Sequence, residues 1–436
     1  MNQLKRVLNL PLLTFYGTGM ILGAGIYTII GKAAGIAQES LWLGFILAAI
    51  GSLMTALSYA ELATMFPRAG AEYIYLKNAF PKHRWASIAS GLMMVFAGAA
   101  TASTVAVAFT GYLETFFSVP TLLAAGTLLI LFTILNIIGL KESSWVNVIF
   151  TLIEVGGLII FIYLGMNNPK FGEALSAKPS FATLSSAALI IFAYFGFENT
   201  VNLIEETKEP ERNIPLAILL SLGISIVLYI LVALSAQALL PPQELAQSQA
   251  ALTDATKIAS PKMAGVLSGI ALFSTANTAL IALVTTSRIL YGMAHDHSLP
   301  APLAKVSAKR KTPWLSALIV LTVSFLLLPL GKVEVLASIS SFATMISFMA
   351  INAALIYLRI HAPNHKRPFR IPLSIKGIPI IPVLGFVLSL IFCLQFEGTV
   401  YTVGFLLFTI AVASGLWMQK SKNPFFLKES KTVPQN

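Results

Sequence analysis

The sequence is poor in charge and has almost no cysteine. Of its 436 residues only 11% are Asp, Glu, Lys or Arg, whereas a soluble domain carries about 25%. Because 56% are hydrophobic, a globular fold would leave more apolar surface than water tolerates, and lipid could cover it. The single cysteine, Cys393, lies in an apolar run and has no disulfide partner in the chain. These scarcities exclude an ordinary soluble protein and favour a membrane protein.

Long hydrophilic stretches are also missing, so no appended soluble domain is expected. A helix needs roughly 20 apolar residues to cross the hydrocarbon core, and about twelve runs of that length occur. The runs are continuous rather than alternating, which disfavours membrane strands. The predicted spans are 12–36, 41–66, 86–113, 120–139, 145–165, 183–204, 215–240, 263–292, 313–331, 335–359, 378–396 and 399–419.

The net charge of +11 is explained by the side of the membrane on which the basic residues lie. If both termini are cytoplasmic, the segments on that side hold 23 of the 29 Lys and Arg residues, as the positive-inside rule demands. The basic residues form no single patch, so nucleic acid is not expected as a partner. We predict a multi-pass protein of the inner or plasma membrane, with 1–11 and 420–436 cytoplasmic. The longest connections are 241–261 and 295–312.

Two predicted spans contain residues that weaken a helix at membrane depth. The first carries Gly23 and Gly25, and each glycine costs about 1 kcal/mol relative to alanine. The sixth carries Gly196 and Glu198, and a carboxylate inside the membrane is a functional candidate by default. Close helix packing through small residues would explain the glycines equally well.

The two weakened spans take matching positions if 12–165 and 183–359 are five-helix repeats of opposite topology. Interrupted helices at such positions are typical of a transporter binding site. A break exposes N–H groups at the start of one half-helix and C=O groups at the end of another. The N–H groups suit a carboxylate and the C=O groups suit an ammonium, so a pair of breaks fits a zwitterionic amino acid.

Four sequence blocks, in order, resemble the amino acid–polyamine–organocation (APC) superfamily. The resemblance covers about 17–300 and implies an all-α membrane protein with a LeuT-like 5+5 inverted repeat. Two further helices, within 378–419, would follow the repeats. The blocks are GTGMILGAGIY at 17–27, YAELA with PRAGAEYIY at 59–63 and 67–75, FGFE with EETKEP at 195–198 and 205–210, and SRILYGMA at 287–294.

The resemblance also implies where a substrate would bind. The family's carboxylate site falls on the backbone of Gly23, Ala24 and Gly25. Many members have Ser or Thr where this chain has Ala24, so backbone donors would matter more here. Phe192 takes the position of an aromatic gate, although a packed core aromatic would read the same. The ammonium site falls on the carbonyls of Ile21, Phe192, Ala193 and Phe195.

Buried carboxyl groups are the candidates for ion coupling. Glu154 lies where proton-coupled relatives often have a lysine, and a group that exchanges a proton when water reaches it could couple transport to a proton gradient. A fixed structural role would fit Glu154 as well. Glu198 is a second coupling candidate or a strut of the broken segment, and Glu61 is expected to pair with a basic group. A sodium site would draw on Ser274, Thr275 and Asn277, and we favour H+.

These features predict a secondary active transporter that moves amino acids by alternating access, as a proton symporter. The alternative is an amino acid or polyamine exchanger without net proton coupling. A membrane enzyme would need paired catalytic groups, and a channel would need filter loops or charge rings. We expect no enzyme activity, no cofactor and no metal site. A small or apolar substrate side chain is favoured over a cationic one, and the oligomeric state is not determined.

Overall fold

A computed structural model of the chain describes residue 6 and residues 8–68, 70–138, 144–307, 312–375 and 377–420. The predicted cytoplasmic tail beyond Lys420 lies outside these residues, as do 1–5 and 7 of the predicted cytoplasmic N-terminus. The fold is almost entirely helical.

Within the described residues there are eighteen α-helices and one two-stranded antiparallel sheet, β1 (Ser374–Ile375) with β2 (Ile378–Pro379). Short 3-10 turns occupy Gln38–Ser40, Ile191–Tyr194, Val201–Glu206, Ala301–Ala304 and Leu328–Leu330. The helices are α1 (Leu10–Leu22), α2 (Ala24–Ala37), α3 (Leu41–Met65), α4 (Ala71–Ala79), α5 (Arg84–Leu113), α6 (Thr121–Ile138), α7 (Ser144–Met166), α8 (Phe171–Ala174), α9 (Phe181–Ile190), α10 (Phe197–Thr200), α11 (Pro210–Leu239), α12 (Pro242–Gln247), α13 (Ala251–Ala259), α14 (Pro261–His295), α15 (Trp314–Leu327), α16 (Val333–His361), α17 (Ile380–Cys393) and α18 (Gly398–Lys420).

Nine helical stretches of the described chain are long and apolar enough to cross a membrane, and two shorter apolar helical stretches, Trp314–Leu330 and Ile380–Cys393, accompany them. The longest stretch, Leu10–Met65, has 56 residues. A straight helix of that size would measure about 84 Å, far more than the roughly 30 Å of a hydrocarbon core. It covers the first two predicted spans and is interrupted at Gly23 and again at Gln38–Ser40. The total of twelve spans stays a prediction.

Helix α5 packs along α14, α16 and α18. Its buried face is built mainly from Ala, Gly, Ser and Thr, and small side chains let helix backbones approach closely. Large apolar side chains are exposed on peripheral helices, such as Leu123 and Leu131 on α6 and Tyr163 on α7. The small side chains thus lie where α5 contacts its neighbours, and the large apolar side chains on the periphery suit a lipid environment.

A buried ion-pair cluster ties the end of α3 to the segment that follows α16. Glu61, with a fully buried side chain, accepts hydrogen bonds from Arg359 Nε at 2.7 Å and Nη2 at 2.5 Å. The Ile371 N–H donates to the same carboxylate at 2.8 Å, and Arg367 Nε lies 3.3 Å from it. Burial lowers the pKa of Arg367, and the charge of Glu61 opposes that shift. The expectation that Glu61 pairs with a basic group is confirmed.

Candidate functional site

The first membrane stretch is interrupted at a single residue. Helix α1 ends at Leu22 and α2 begins at Ala24, while Gly23 between them has φ −25° and ψ −141°. The Gly23 N–H still donates to the carbonyl of Gly19 at 3.2 Å. The interruption therefore leaves the first amides of α2 without intrahelical partners, at the position where the glycine pattern predicts a break.

The second interruption is longer and depends on Gly196. After α9 the chain passes through a 3-10 turn, Phe195 is extended, and Gly196 has φ +125° before α10 begins. A non-glycine residue rarely adopts that φ. A Cβ at position 196 would also lie 2.6 Å from the carbonyl oxygen of Met20. The second break therefore rests directly on the backbone of α1.

The two interrupted segments also touch at a second point. A Cβ on Gly25 would lie 2.7 Å from the Cα of Ala193, so the absence of a side chain allows the backbones to meet. Tyr229 of α11 joins them from a third element, because its hydroxyl lies 2.6 Å from the Ile21 carbonyl oxygen and 3.1 Å from that of Ala193. One hydroxyl proton cannot fully satisfy two carbonyls, so some acceptor capacity remains at this junction.

A cavity of about 100 Å³ lies where the broken segments cross. Its remaining walls come from α5, α14 and α16. Gly23, Ala193 and Glu154 are not among the lining residues that the structure describes. The predicted site residues that line it are Ile21, Ala24, Gly25, Phe192, Phe195 and Glu198.

The cavity extends to one side of the Gly23 interruption. Its lining includes Gly19 and Met20, which precede the break, and Asn199, which follows the second break. On the other side α2 is covered, because α12 and α13 pack against it and Lys32 Nζ donates to the Ala246 carbonyl at 3.0 Å. The crossing is therefore more accessible from the α1 side than from the far end of α2.

Glu198 lies on the cavity wall with both carboxylate oxygens engaged. Oε2 accepts the Gly196 N–H at 2.8 Å, and Oε1 accepts the side-chain amide of Asn199 at 3.3 Å. Both donors belong to the interrupted segment itself. These contacts support the structural alternative for Glu198, in which its carboxylate stabilises the interrupted segment.

Glu154 lies elsewhere, on α7 behind α2, and is 1% exposed. Its Oε1 has no hydrogen-bond partner among the described residues. Two further buried oxygens, Tyr27 Oη and Ser274 Oγ, have no well-formed hydrogen bond there, and both lie beside Glu154, with the Ser274 hydroxyl placed to donate to its carboxyl. Of the other residues named for a sodium site, Thr275 directs its hydroxyl to carbonyls of its own helix. Oxygen atoms with unused hydrogen-bonding capacity therefore lie together at Glu154, Tyr27 and Ser274. Such a group would suit a proton, a water molecule or a cation.

Sequence reasoning missed two residues of this region, Thr278 and Tyr229. Thr278 Oγ1 accepts the N–H of Ala24 at 2.8 Å and lines the cavity. Tyr229 contributes the hydroxyl described above. A tyrosine within an otherwise apolar helix is a usable signal, since a buried phenol normally finds a partner. Threonine gives no comparable signal, because it commonly bonds to its own helix.

Comparison with known proteins agrees with this arrangement. The family model for amino acid permeases matches residues 8–397. The branched-chain amino acid permease BcaP of Bacillus subtilis (strain 168) is 29% identical over 416 residues, covering 90% of this chain and 87% of its own. A methylthioribose transporter of the same organism is 28% identical, covering 95% and 92%. An uncharacterized transporter of Mycobacterium tuberculosis (strain ATCC 25618 / H37Rv) is 30% identical, covering 88% and 85%.

Both the family and these relatives are transporters rather than enzymes, and the apolar helices of the described chain suit a multi-pass membrane protein with a small-molecule substrate. Because the family model spans most of the sequence, the chain belongs to the amino acid permease family of the APC superfamily.

Proposed function

We propose that this permease moves amino acids with small or apolar side chains across the cell membrane by alternating access, coupled to H+. The observation that carries the proposal is the cavity at the crossing of two interrupted helices. Irregular backbone is tolerated at membrane depth where it lines a cavity, and the exposed ends of broken helices suit a zwitterion.

The substrate carboxylate binds at the start of α2. Ala24 and Gly25 line the cavity, and amides at a helix start carry the positive end of the helix dipole. The ammonium binds to carbonyls on the opposite side of the crossing, at Ile21 and in the segment that contains Phe192. A carbonyl oxygen has two lone pairs, so Ile21 can accept from Tyr229 and from a substrate together.

A neutral substrate side chain is supported by the lining of the cavity. Glu198 is the one ionisable side chain among the lining residues that the structure describes, and both of its oxygens are engaged within the break. A cationic side chain would need a free counter-charge. The α5 and α14 walls instead offer Met94, Val105 and Ile281, interspersed with threonines.

Glu154 is the proposed coupling residue. It is buried, yet one carboxyl oxygen has no partner within the described chain, so no ion pair there fixes its charge. A carboxyl group that can be occupied by a proton and released when water enters meets the requirement for coupling. Glu198 is the second candidate, although its contacts support a structural role.

The direction of the cavity supports one state of the transport cycle. In the predicted orientation, α1 begins on the cytoplasmic side and the covered end of α2 lies outside. The cavity then faces the cytoplasm, with α12 and α13 closing the outer side. We propose that the structure corresponds to an inward-directed state.

Uptake of a labelled amino-acid panel into proteoliposomes tests the proposal. We expect saturable uptake of neutral apolar amino acids, accumulation above equilibrium only under an inward proton gradient, and acidification of the lumen as substrate enters. An obligatory requirement for internal amino acid, with no effect of the gradient, would support the exchanger alternative. Failure to transport or bind any amino acid of the panel would contradict the proposed function itself.

A further inference from the structure

A side chain of α14 already occupies the start of α2. The hydroxyl of Thr278 lies 2.8 Å from the Ala24 nitrogen as hydrogen-bond acceptor, and a Cβ on residue 23 would lie only 2.4 Å from the same oxygen. The bare backbone at Gly23 therefore gives the hydroxyl direct access to this amide. Thr278 and Ala24 both line the cavity. The Ala24 N–H, which is proposed to bind the substrate carboxylate, therefore already donates to the Thr278 hydroxyl.

The proton of that hydroxyl has no acceptor among the described residues. A threonine hydroxyl can accept and donate at the same time, and Thr278 donates to no acceptor in the part of the chain that the structure describes. Thr285, on the wall of the same cavity two turns later, differs because its hydroxyl donates to the Ile281 carbonyl at 2.9 Å. Thr278 thus has a hydroxyl proton available for donation, whereas that of Thr285 is already donated to its own helix.

We infer that Thr278 binds the substrate carboxylate, donating its hydroxyl proton to a carboxylate oxygen while it continues to accept the Ala24 N–H. The inference rests on the proposed function, which puts the carboxylate at the start of α2. Hydrogen bonds in series polarise one another, so the hydroxyl carries the positive end of the helix dipole into the cavity. A donor to an ionised acceptor forms one of the stronger hydrogen bonds.

The same geometry gives Thr278 a role in substrate selection. An amino acid amide has the same side chain and ammonium as the amino acid but no negative carboxylate. It would leave the amide–hydroxyl chain with a weaker, neutral acceptor. Thr278 therefore contributes to the preference for a free carboxylate, and it has no role in reading the substrate side chain.

Three variants in proteoliposomes test this role. Thr278→Val removes the hydroxyl at nearly constant volume, and we expect the half-saturation concentration for leucine uptake to rise roughly tenfold to a hundredfold. The preference for leucine over leucinamide as competitor should fall by a similar factor. Thr278→Ser should restore both values. Thr104→Val, the same change at a buried threonine of α5 that donates to its own helix and does not line the cavity, should leave both unchanged.

The ratio of the two competitors separates binding from folding, because it does not depend on the amount of folded protein. Unchanged affinity and preference in Thr278→Val would overturn the inference and leave the proposed function intact. Equal weakening of leucine and leucinamide would also overturn it, since a residue that only caps α2 would affect both ligands alike. A wild-type protein that ignores both compounds and every other amino acid would instead count against the proposed function.

Discussion

Two buried glutamates in membrane helices show opposite solutions to the same problem. Glu61 is surrounded by donors, with the Arg359 guanidinium, the Ile371 N–H and nearby Arg367 all directed at its carboxylate. Glu154 is equally buried, but its Oε1 has no partner among the described residues. Two guanidinium groups face the Glu61 carboxylate, whereas no ion pair with Glu154 is found in the described part of the chain. Burial alone therefore does not identify a coupling residue, and the surrounding donors must be counted.

The largest expected effect comes from removing the charge of Glu61. Glu61→Gln would leave Arg359 buried without its counter-charge, and breaking a buried pair from one side costs on the order of 3–5 kcal/mol. We expect a clearly lower melting temperature for the purified protein in detergent. The matched control is Glu154→Gln, which replaces an equally buried carboxyl group that forms no ion pair within the described chain and should melt near the wild-type temperature.

A double-mutant cycle makes the Glu61 prediction more specific. If the ion pair is the cause, Arg359→Leu should cost much less in the Glu61→Gln background than alone, since the two side chains are in contact. Additive effects of the two substitutions would show that the stability of this cluster does not come from the pair.

The second effect concerns transport rather than stability. Glu154→Gln keeps the size of the side chain but cannot take up or release a proton. Under the proposed coupling, gradient-driven accumulation of substrate in proteoliposomes should be lost, while substrate binding and counterflow persist. Accumulation at the wild-type level in this variant would assign Glu154 a structural role and so remove the functional half of the comparison with Glu61.

The helices show which parts of the fold the sequence could predict and which it could not. The apolar runs predicted the long helices closely, as for 120–139 against the observed Thr121–Ile138. Helices α12 and α13 were not anticipated within the connection 241–261. Helices of six and nine residues are marginal by themselves and depend on packing, here against α2, which a local pattern does not reveal.

The candidate site divides in the same way. Gly23 and Gly196 mark the two interruptions locally, because glycine weakens a helix wherever it occurs. The contact of Thr278 with Ala24 joins residues 254 apart in sequence, and that of Tyr229 with Ile21 joins residues 208 apart. The partners of Glu61 are also distant, with 298 residues separating it from Arg359. Helix interruptions can therefore be predicted from local sequence, whereas the side chains that contact them are found only from the three-dimensional structure.

Glu198 gives the smallest expected effect and the sharpest check on the comparison. Its oxygens accept from Gly196 and Asn199, so Glu198 resembles Glu61 in having donors. It resembles Glu154 in having no cationic partner within the described residues. Glu198→Gln retains an amide oxygen for the Gly196 N–H, and we expect a stability loss of only about 1 kcal/mol with accumulation preserved. Uptake driven by a proton gradient, measured beside Glu154→Gln under identical conditions, tests this. Loss of accumulation in Glu198→Gln alone would move the coupling role to the cavity wall, and would mean that hydrogen bonds from neutral donors do not suffice to fix a buried carboxylate.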